Sequence, residues 1–517
     1  MRRMILLLCG SLVLGYALSV WATVLRVPGE YPTIQAGINA AVDNDTVLVA
    51  DGTYSGDGNR DLDFGGVNMV VMSENGPEVT IIDCEGSAAD PHRGFVFHSG
   101  EDASSVVQGL TITNGHIEVY DGGGIYCLGS SPSIEGNIIT GNSAAYNGGG
   151  IFCDGASAAI IRANIVAGNT STYSGSGICC IDSWPTIQGN TITANTAHHS
   201  GGGLCVYHLS APTIEGNTIT GNTADFYGGG VFYDYTCSGV IRLNTISGNT
   251  AAFTGGGMYC SDSSPIAERN TIVENTADEG GGIYCYYHAM PVIKANTVTA
   301  NRAALGGGIC CYWACSPIVF NTVLWADSAA TDQEIYVDET SSIDVTYCDV
   351  EGGWQGAGNI EADPLFLLAD KNDYRLLWGS PCVDSGDPDY TDPDGTRSDM
   401  GAHFFDQDDY LTLYLTPDTL EVTRGGVLGV TYTAINRWAQ PEPFWVLTEA
   451  TLPNGNPFPV MGPAHYALPA NHTEQRHLNH IVPGAAPLGL YGYGSRIGVP
   501  PSTLYDEDSF AFIVVGP

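Results

Sequence analysis

The sequence predicts an all-β protein: a parallel β-helix of about 26 residues per coil over residues 23–405, then an immunoglobulin-like β-sandwich over 406–517. Three observations carry this. A glycine triplet followed by Ile, Val, Leu or Met recurs at Gly122, Gly148, Gly201, Gly228, Gly255, Gly280 and Gly306. The degenerate Gly175-Ser176-Gly177-Ile178 fills the one gap, so the steps run from 25 to 27 residues. A second motif, NIITGN to NTVTAN, keeps the same time from Asn137 through Asn164, Asn190, Asn217, Asn244, Asn270 and Asn296. The residues from 406 on drop both motifs and read as about seven longer strand-like runs. A fixed period of this length marks a stacked repeat array.

Residues 1–22 read as a secretory signal: Arg2 and Arg3, an apolar stretch from Met4 to Leu18, and small residues ending at Ala22. No other apolar stretch approaches the ~20 residues of a membrane-spanning helix. The expected location is therefore secreted or cell-surface. Residues 23–51 form the expected N-terminal cap. IQAGINAAV places Ile34, Ile38 and Val42 one helical turn apart, and DTVLVADGTY reads as a strand. A short amphipathic helix there would plug the open lumen, since a bare stack end exposes strand edges. Residues 52–121 read as less regular coils, with strands near NMVVM, VTIID, GFVFH and GLTIT.

Within each repeat, short alternating runs separated by Gly, Pro, Asn and Ser predict two or three strands per coil. Coils stacked ~4.8 Å apart pair every strand with its neighbours. The fourth residue from each triplet is always aliphatic, from Ile125 to Ile309, and should face the lumen. The sixth shares that face. It is Cys127, Cys153, Cys180, Val206, Tyr233, Cys260, Cys285 and Cys311, where cysteine acts as a small hydrophobe. The fifth column should face outward, making Cys179, Cys205 and Cys310 the more reactive thiols. Cys348 and Cys382 lie outside the ladder and are the better candidates for a bridge. The asparagines are expected at turns, with amides bonded from coil to coil. The column two residues before each leading Asn runs Glu135, Arg162, Gln188, Glu215, Arg242, Glu268, Lys294. It juxtaposes opposite charges and no like pair, as a stacked surface column should.

After Asn321 the repeat decays, and the acidic segment 352–405 is expected to close the far end. Removing Arg2 and Arg3 with the signal takes the net charge from −39 to −41, which excludes nucleic acid as a natural partner. The acids peak from Asp327 to Asp409, against only Lys371, Arg375 and Arg397. Asp392, Asp394 and Asp399 have the spacing of a calcium loop without its terminal glutamate, so calcium is the candidate cofactor. His472, His477 and His480 share one segment of the sandwich but lack a fourth ligand for zinc.

The triplet and NTITGN motifs resemble the repeats of polymorphic outer-membrane adhesins. The stretches YPTIQAGINAAVDNDTVLVADGTY and SPCVDSGDPDYTDPDGTRSDMGAHFF resemble the opening and closing segments of secreted bacterial β-helix proteins. Residues 24–405 are thereby similar to the pectate-lyase-like superfamily, which implies a right-handed parallel β-helix. It also implies, as one option, a polysaccharide lyase holding calcium on acids of an outer face, with an Arg or Lys as base. Outward Asp154, Asp182, Asp234 and Asp262 could supply the acids. None of the five basic residues between Gly122 and Phe320 falls on that strand.

Aromatics fit that face better. The fifth and seventh positions carry Tyr126, Phe152, Tyr207, Phe232, Tyr259, Tyr284, Tyr286 and Tyr312, with Trp184, Tyr235 and Trp313 close behind. Exposed aromatics interleaved with Asp154 and Asp234 would suit a polysaccharide or cell-surface glycan. The same rings could equally serve as ladders that hold the stack together. The leading expectation is an adhesin-like, non-catalytic, monomeric surface binder. A lyase or hydrolase, and a structural spacer, are the alternatives.

Overall fold

The structure is a computed structural model and describes residues 22–369, 372–377, 379–405, 411–436, 440–470, 472–499 and 503–516. The signal segment read from residues 1–22 lies outside the described residues except for Ala22.

Among the described residues, the repeats wind into three long parallel sheets of 11, 13 and 12 strands, plus a six-stranded ribbon of two-residue strands. Each regular coil contributes in turn a post-triplet strand such as Ile151–Asp154, a second such as Ile160–Arg162 and a third such as Ile165–Ala167, and the coils as far as Thr250–Ala251 add a ribbon strand such as Thr170–Ser171. Three main strands match the expectation. The ribbon had no visible sequence signal, because two residues are too few to show alternation.

The lumen is dry and layered. Ile125, Ile151 and Ile178 stack in register, as do Cys127, Cys153 and Cys180, all fully buried. The middle residues of the other two strands, such as Ile161 and Val166, complete each layer. The third glycine of each triplet stands where coils approach closely: a Cβ on Gly150 would meet the carbonyl oxygen of Gly177 at 2.6 Å. The first glycine, such as Gly148, holds φ at +65°, which costs a larger residue ~1–2 kcal/mol.

The asparagines form two buried ladders. Asn164 Nδ2 donates to Asn190 Oδ1 at 3.0 Å and Asn195 Nδ2 to Asn222 Oδ1 at 2.9 Å, and the pattern repeats in each coil of both ladders. The charged column pairs as the alternation predicts: Glu135–Arg162, Glu215–Arg242 and Glu268–Lys294 at 2.9, 3.0 and 3.1 Å. Each exposed pair is worth at most ~1 kcal/mol, so these fix register more than stability.

The cap helix spans Ile34–Ala40. Thr33 caps it by accepting from Ala36 N, and Ile34 and Ile38 are buried. Val42, expected on the same stripe, lies past the helix end and is exposed. At the far end the acidic segment folds back along the third sheet. Gly401 N donates to Asn321 O and Ala402 N to Thr297 Oγ1, while Arg269 holds Asp392 at 2.9 Å.

Beyond it, an antiparallel sheet of three strands and a five-stranded sheet, antiparallel but for its edge strand Glu421–Thr423, face each other around Leu413, Val430, Tyr432, Val446, Tyr493 and Phe512. This arrangement is consistent with a β-sandwich. Tyr432 and Tyr493 join their hydroxyls at 2.6 Å inside its core. The strand Pro457–Leu468 escaped the sequence reading, because its three prolines argue against a strand; it lies at a sheet edge, where proline is tolerated.

Two expectations about cysteine are corrected. Cys179, Cys205 and Cys310 do not face solvent. They are buried in a second apolar layer outside the lumen, roofed by residues such as Ile181, Tyr207 and Tyr227. Burial also pushes the Cys179 and Cys310 thiols up, away from reactive thiolate. Cys348 and Cys382 are not bridged. Cys382 Sγ contacts Asp349 Oδ2 at 3.2 Å, and Cys348 Sγ contacts Thr346 O at 3.2 Å.

Candidate functional site

The turn that follows each post-triplet strand is one of several in the coil with left-handed backbone; the others carry glycine, alanine and, in places, Leu243, Arg269 and Glu274. Its left-handed backbone positions are held in the first two regular coils by small residues, Gly129, Gly155 and Ala156. From the third coil on they carry Asp182, His208 and Leu209, Tyr235 and Thr236, Asp262, Tyr287 and His288, then Trp313 and Ala314, with φ between 41° and 64°. A bulky residue there costs ~1 kcal/mol or more where glycine would cost little. The stack accepts a large residue there in four of these six coils, and Asp, which tolerates left-handed backbone, in the other two. The result is a ridge, one turn wide, running along the helix axis.

The ridge is aromatic and acidic. Tyr235 and Trp313 are each 54% exposed, and Trp184, Tyr287 and Tyr312 are also exposed. Their rings are tilted to one another: Tyr207 to Tyr235 at 55°, Tyr286 to Trp313 at 62°, Tyr287 to Trp313 at 73°. Their exposure leaves part of each ring open to solvent. Asp182 Oδ1 bonds His208 Nδ1 at 2.7 Å, Asp234 Oδ1 accepts Tyr235 N at 2.8 Å, and Thr236 reaches Asp262 Oδ2 at 3.5 Å. Burial raises the Asp154 and Asp234 carboxyls above the ordinary range. Asp182 adds like charge at the first and Asp262 at the second.

The predicted binding residues divide. Tyr312 and Trp313 are exposed on the ridge, and Tyr126, Tyr207, Tyr286, Asp154 and Asp234 are partly exposed at or near it. Phe152, Phe232, Tyr259 and Tyr284 are buried, which corrects their reading as an outer platform. Strand alternation points them outward, but Tyr227, Tyr286 and Leu305 fold over them. Their faces are also taken: Phe232 stacks on Tyr259 at 10° and Tyr259 on Tyr284 at 13°.

A further ladder went unread. Tyr146, Tyr173, His199, Phe226 and Phe253 sit two residues before successive triplets, with neighbouring ring centroids 5.1 to 6.4 Å apart. Its signal was an aromatic at that one column. Interplanar angles of 8°, 31°, 29° and 8° make it a coil-to-coil ring stack of the kind that stabilises a sheet.

The basic residues lie elsewhere. Arg162, Arg242 and Lys294 pair with glutamates on the second sheet, Arg269 holds Asp392, and Arg302 sits in the coil just before a triplet. The calcium candidates are committed to backbone. Asp392 Oδ2 accepts Asp399 N at 2.6 Å, Asp399 accepts Asp384 N and Phe405 N, and Asp394 accepts Thr396 N. Among the described residues no group of three His, Cys, Asp or Glu converges on a metal position.

Comparison with known proteins agrees with this architecture. The family described as right handed beta helix region matches residues 149–324, and the family described as periplasmic copper-binding protein (NosD) matches residues 67–229. The copper of that second name finds no fitting donor set among the described residues: the lumenal thiols are stacked in an apolar core, where burial pushes the Cys127 and Cys180 thiols up, away from the ligating thiolate. No curated protein matches. A solved structure, the Pseudomonas fluorescens alkylpurine DNA glycosylase AlkC bound to DNA containing an abasic site analog, aligns at 12% identity and a TM-score of 0.17. The alignment covers 20% of this chain and 30% of that one, and supports no inference. The stacked parallel sheets and the first match make the chain a β-helix repeat protein.

Proposed function

We propose that this is an exported β-helix protein that binds glycans or other surfaces along the turn ridge, without turning them over. The observation that carries the reading is the set of exposed aromatics Tyr235, Tyr287 and Trp313 at left-handed positions of one turn column, where the first two coils make do with glycine and alanine. Strain of this kind concentrates at functional sites. Open aromatic faces with polar neighbours are the chemistry that stacks on sugar rings. Export is supported by the signal-like residues 1–22 and by the periplasmic family that matches residues 67–229. The sandwich, immunoglobulin-like in this reading, is an accessory domain. A lyase needs a base and a cationic clamp beside the sugar, and the ridge carries neither Lys nor Arg.

The test is a glycan array on the purified chain without residues 1–22, with release of unsaturated sugar followed in parallel. Binding that is lost in the Tyr235→Ala, Trp313→Ala double variant supports the reading. Turnover of a polyuronate that Asp234→Ala abolishes would replace it with the lyase alternative.

A further inference from the structure

The ridge has a charge as well as a shape. Asp154, Asp182, Asp234 and Asp262 project from or beside its turns, partly exposed, in four of five consecutive coils. The described arginines of these coils sit elsewhere in ion pairs of their own, and on the ridge His208 bonds Asp182. A carboxylate therefore recurs along one line at the coil spacing of ~4.8 Å, or twice it, between open aromatic faces. That step is close to the length of one sugar unit in an extended polysaccharide. A polyuronate laid on this line would place like charge against like charge at each coil. A neutral glycan would use the rings and leave the charge unmatched. A folded basic protein would need a broad interface of ~800 Å² per partner, whereas the ridge is one turn wide.

Resting on the glycan-binding reading, we propose that the ridge takes a cationic amino-sugar polysaccharide. Tyr235 and Trp313 stack on its pyranose rings, and the ridge carboxylates pair its ammonium groups. Charge complementarity then sets specificity, and the aromatic faces set affinity for sugar as such.

The experiment uses the full chain without residues 1–22 in calorimetric titrations with three probes: a β-1,4-linked glucosamine hexasaccharide, its fully N-acetylated counterpart, and polygalacturonate. The free-amine oligosaccharide should bind at least about tenfold tighter than the acetylated one, with the advantage shrinking as salt is raised to about 150 mM. Polygalacturonate should not bind. The Asp182→Asn, Asp262→Asn double variant should bring the free-amine probe down to the level of the acetylated one and leave the latter unchanged. Tyr235→Ala with Trp313→Ala should weaken both. Unchanged circular dichroism confirms that each variant is folded.

Equal binding of acetylated and free-amine probes would overturn the charge inference while sparing the glycan reading. No binding to any of the three, together with a blank glycan array, would overturn the glycan reading itself. Polylysine bound as tightly as the amino-sugar, with no effect of the aromatic substitutions, would reduce the ridge to a nonspecific acidic surface and overturn both.

Discussion

Asn301 donates both its backbone N–H, at 2.6 Å, and its side-chain amide, at 2.9 Å, to one oxygen of Asp327. Asp327 is thus the next rung of the second asparagine ladder, with a carboxyl in place of an amide. Its Oδ2 occupies the amide-nitrogen site. A Cβ on Gly308 would meet that oxygen at 2.7 Å, as one on Gly282 would meet Asn301 Nδ2 at 3.1 Å. Earlier rungs donate from this site to a backbone carbonyl, as Asn301 does to Ile272 O. An ionised oxygen cannot. Glu334 lies alongside, accepting Asp327 N at 3.1 Å, and Asp327 Oδ2 and Glu334 Oε2 are both buried without a hydrogen-bond partner among the described residues. Burial raises both carboxyls, and Asp327 raises Glu334 further. A proton held between them satisfies the geometry.

The ladder end should therefore be sensitive to pH. The folded-state pKa values lie above the unfolded ones, so the folded chain keeps protons that the unfolded chain releases. The contribution is complete below the ordinary carboxylate range and is lost as pH rises through the raised values. Asp327→Asn supplies the missing donor and removes one ionisable group. Relative to wild type the variant should therefore gain stability between about pH 4 and about pH 8, by on the order of 1 kcal/mol or more. Thermal melts at the two pH values check this, and a variant that gains nothing on wild type between them rejects it.

An interior rung should behave oppositely. Asn222 accepts from Asn195 N and Nδ2 at 3.0 and 2.9 Å and donates to Ile192 O and Asn249 Oδ1 at 2.9 and 3.0 Å. Asn222→Ala strands buried partners on both sides and should cost ~3 kcal/mol or more. Contacts in a stack are local, so amide exchange should quicken in the coils of Asn195 and Asn249 and little elsewhere. Uniform protection would show that the ladder does not hold these coils.

The thiols give a third expectation. All fourteen described cysteines are free and buried. A thiol reagent should label none of them in the native chain and all of them after unfolding. Rapid labelling of Cys179 or Cys310 would mean that the outer apolar layer is open.

The fold was legible because period, aliphatic column, asparagine columns and alternating charges all report the same register. Each is a direct consequence of stacking one coil on the next. The cap helix was legible for a different reason: Ile34 and Ile38 keep helical spacing where the repeat has not begun. The site was legible only in part. Alternation says which way Tyr259 leaves its strand but not what lies above it, and Tyr227, which helps to cover it, belongs to the preceding turn. The ridge was hidden because left-handed backbone at Tyr235 or Trp313 has no residue signature, unlike the glycine at Gly129. Asp392 and Asp399 meet a related limit. Carboxylate spacing cannot distinguish oxygens waiting for a cation from oxygens already accepting backbone amides.

Stability and recognition should therefore separate between two tyrosines one coil apart. Tyr259 stacks between Phe232 and Tyr284, centroids 5.1 and 5.7 Å away, and is buried in the outer apolar layer. Tyr235 stands on the ridge with its ring exposed and Tyr207 beside it, at 5.0 Å. Tyr259→Ala removes a packed ring and leaves a cavity, which should cost on the order of 3 kcal/mol. Tyr235→Ala removes an exposed ring from a strained position, so the melting temperature should hold or rise slightly. Binding should follow the reverse order. Tyr235→Ala should weaken retention on a glycan column by several-fold, because a ring with a free face contributes directly. Tyr259→Ala should reduce retention only as far as it unfolds its coil, and below its melting temperature it should bind as wild type does. Melting curves and column retention on the same two preparations decide the matter. If Tyr259→Ala abolished binding while the chain stayed folded, the strand face would be the recognition surface after all, and the ridge would be scaffolding.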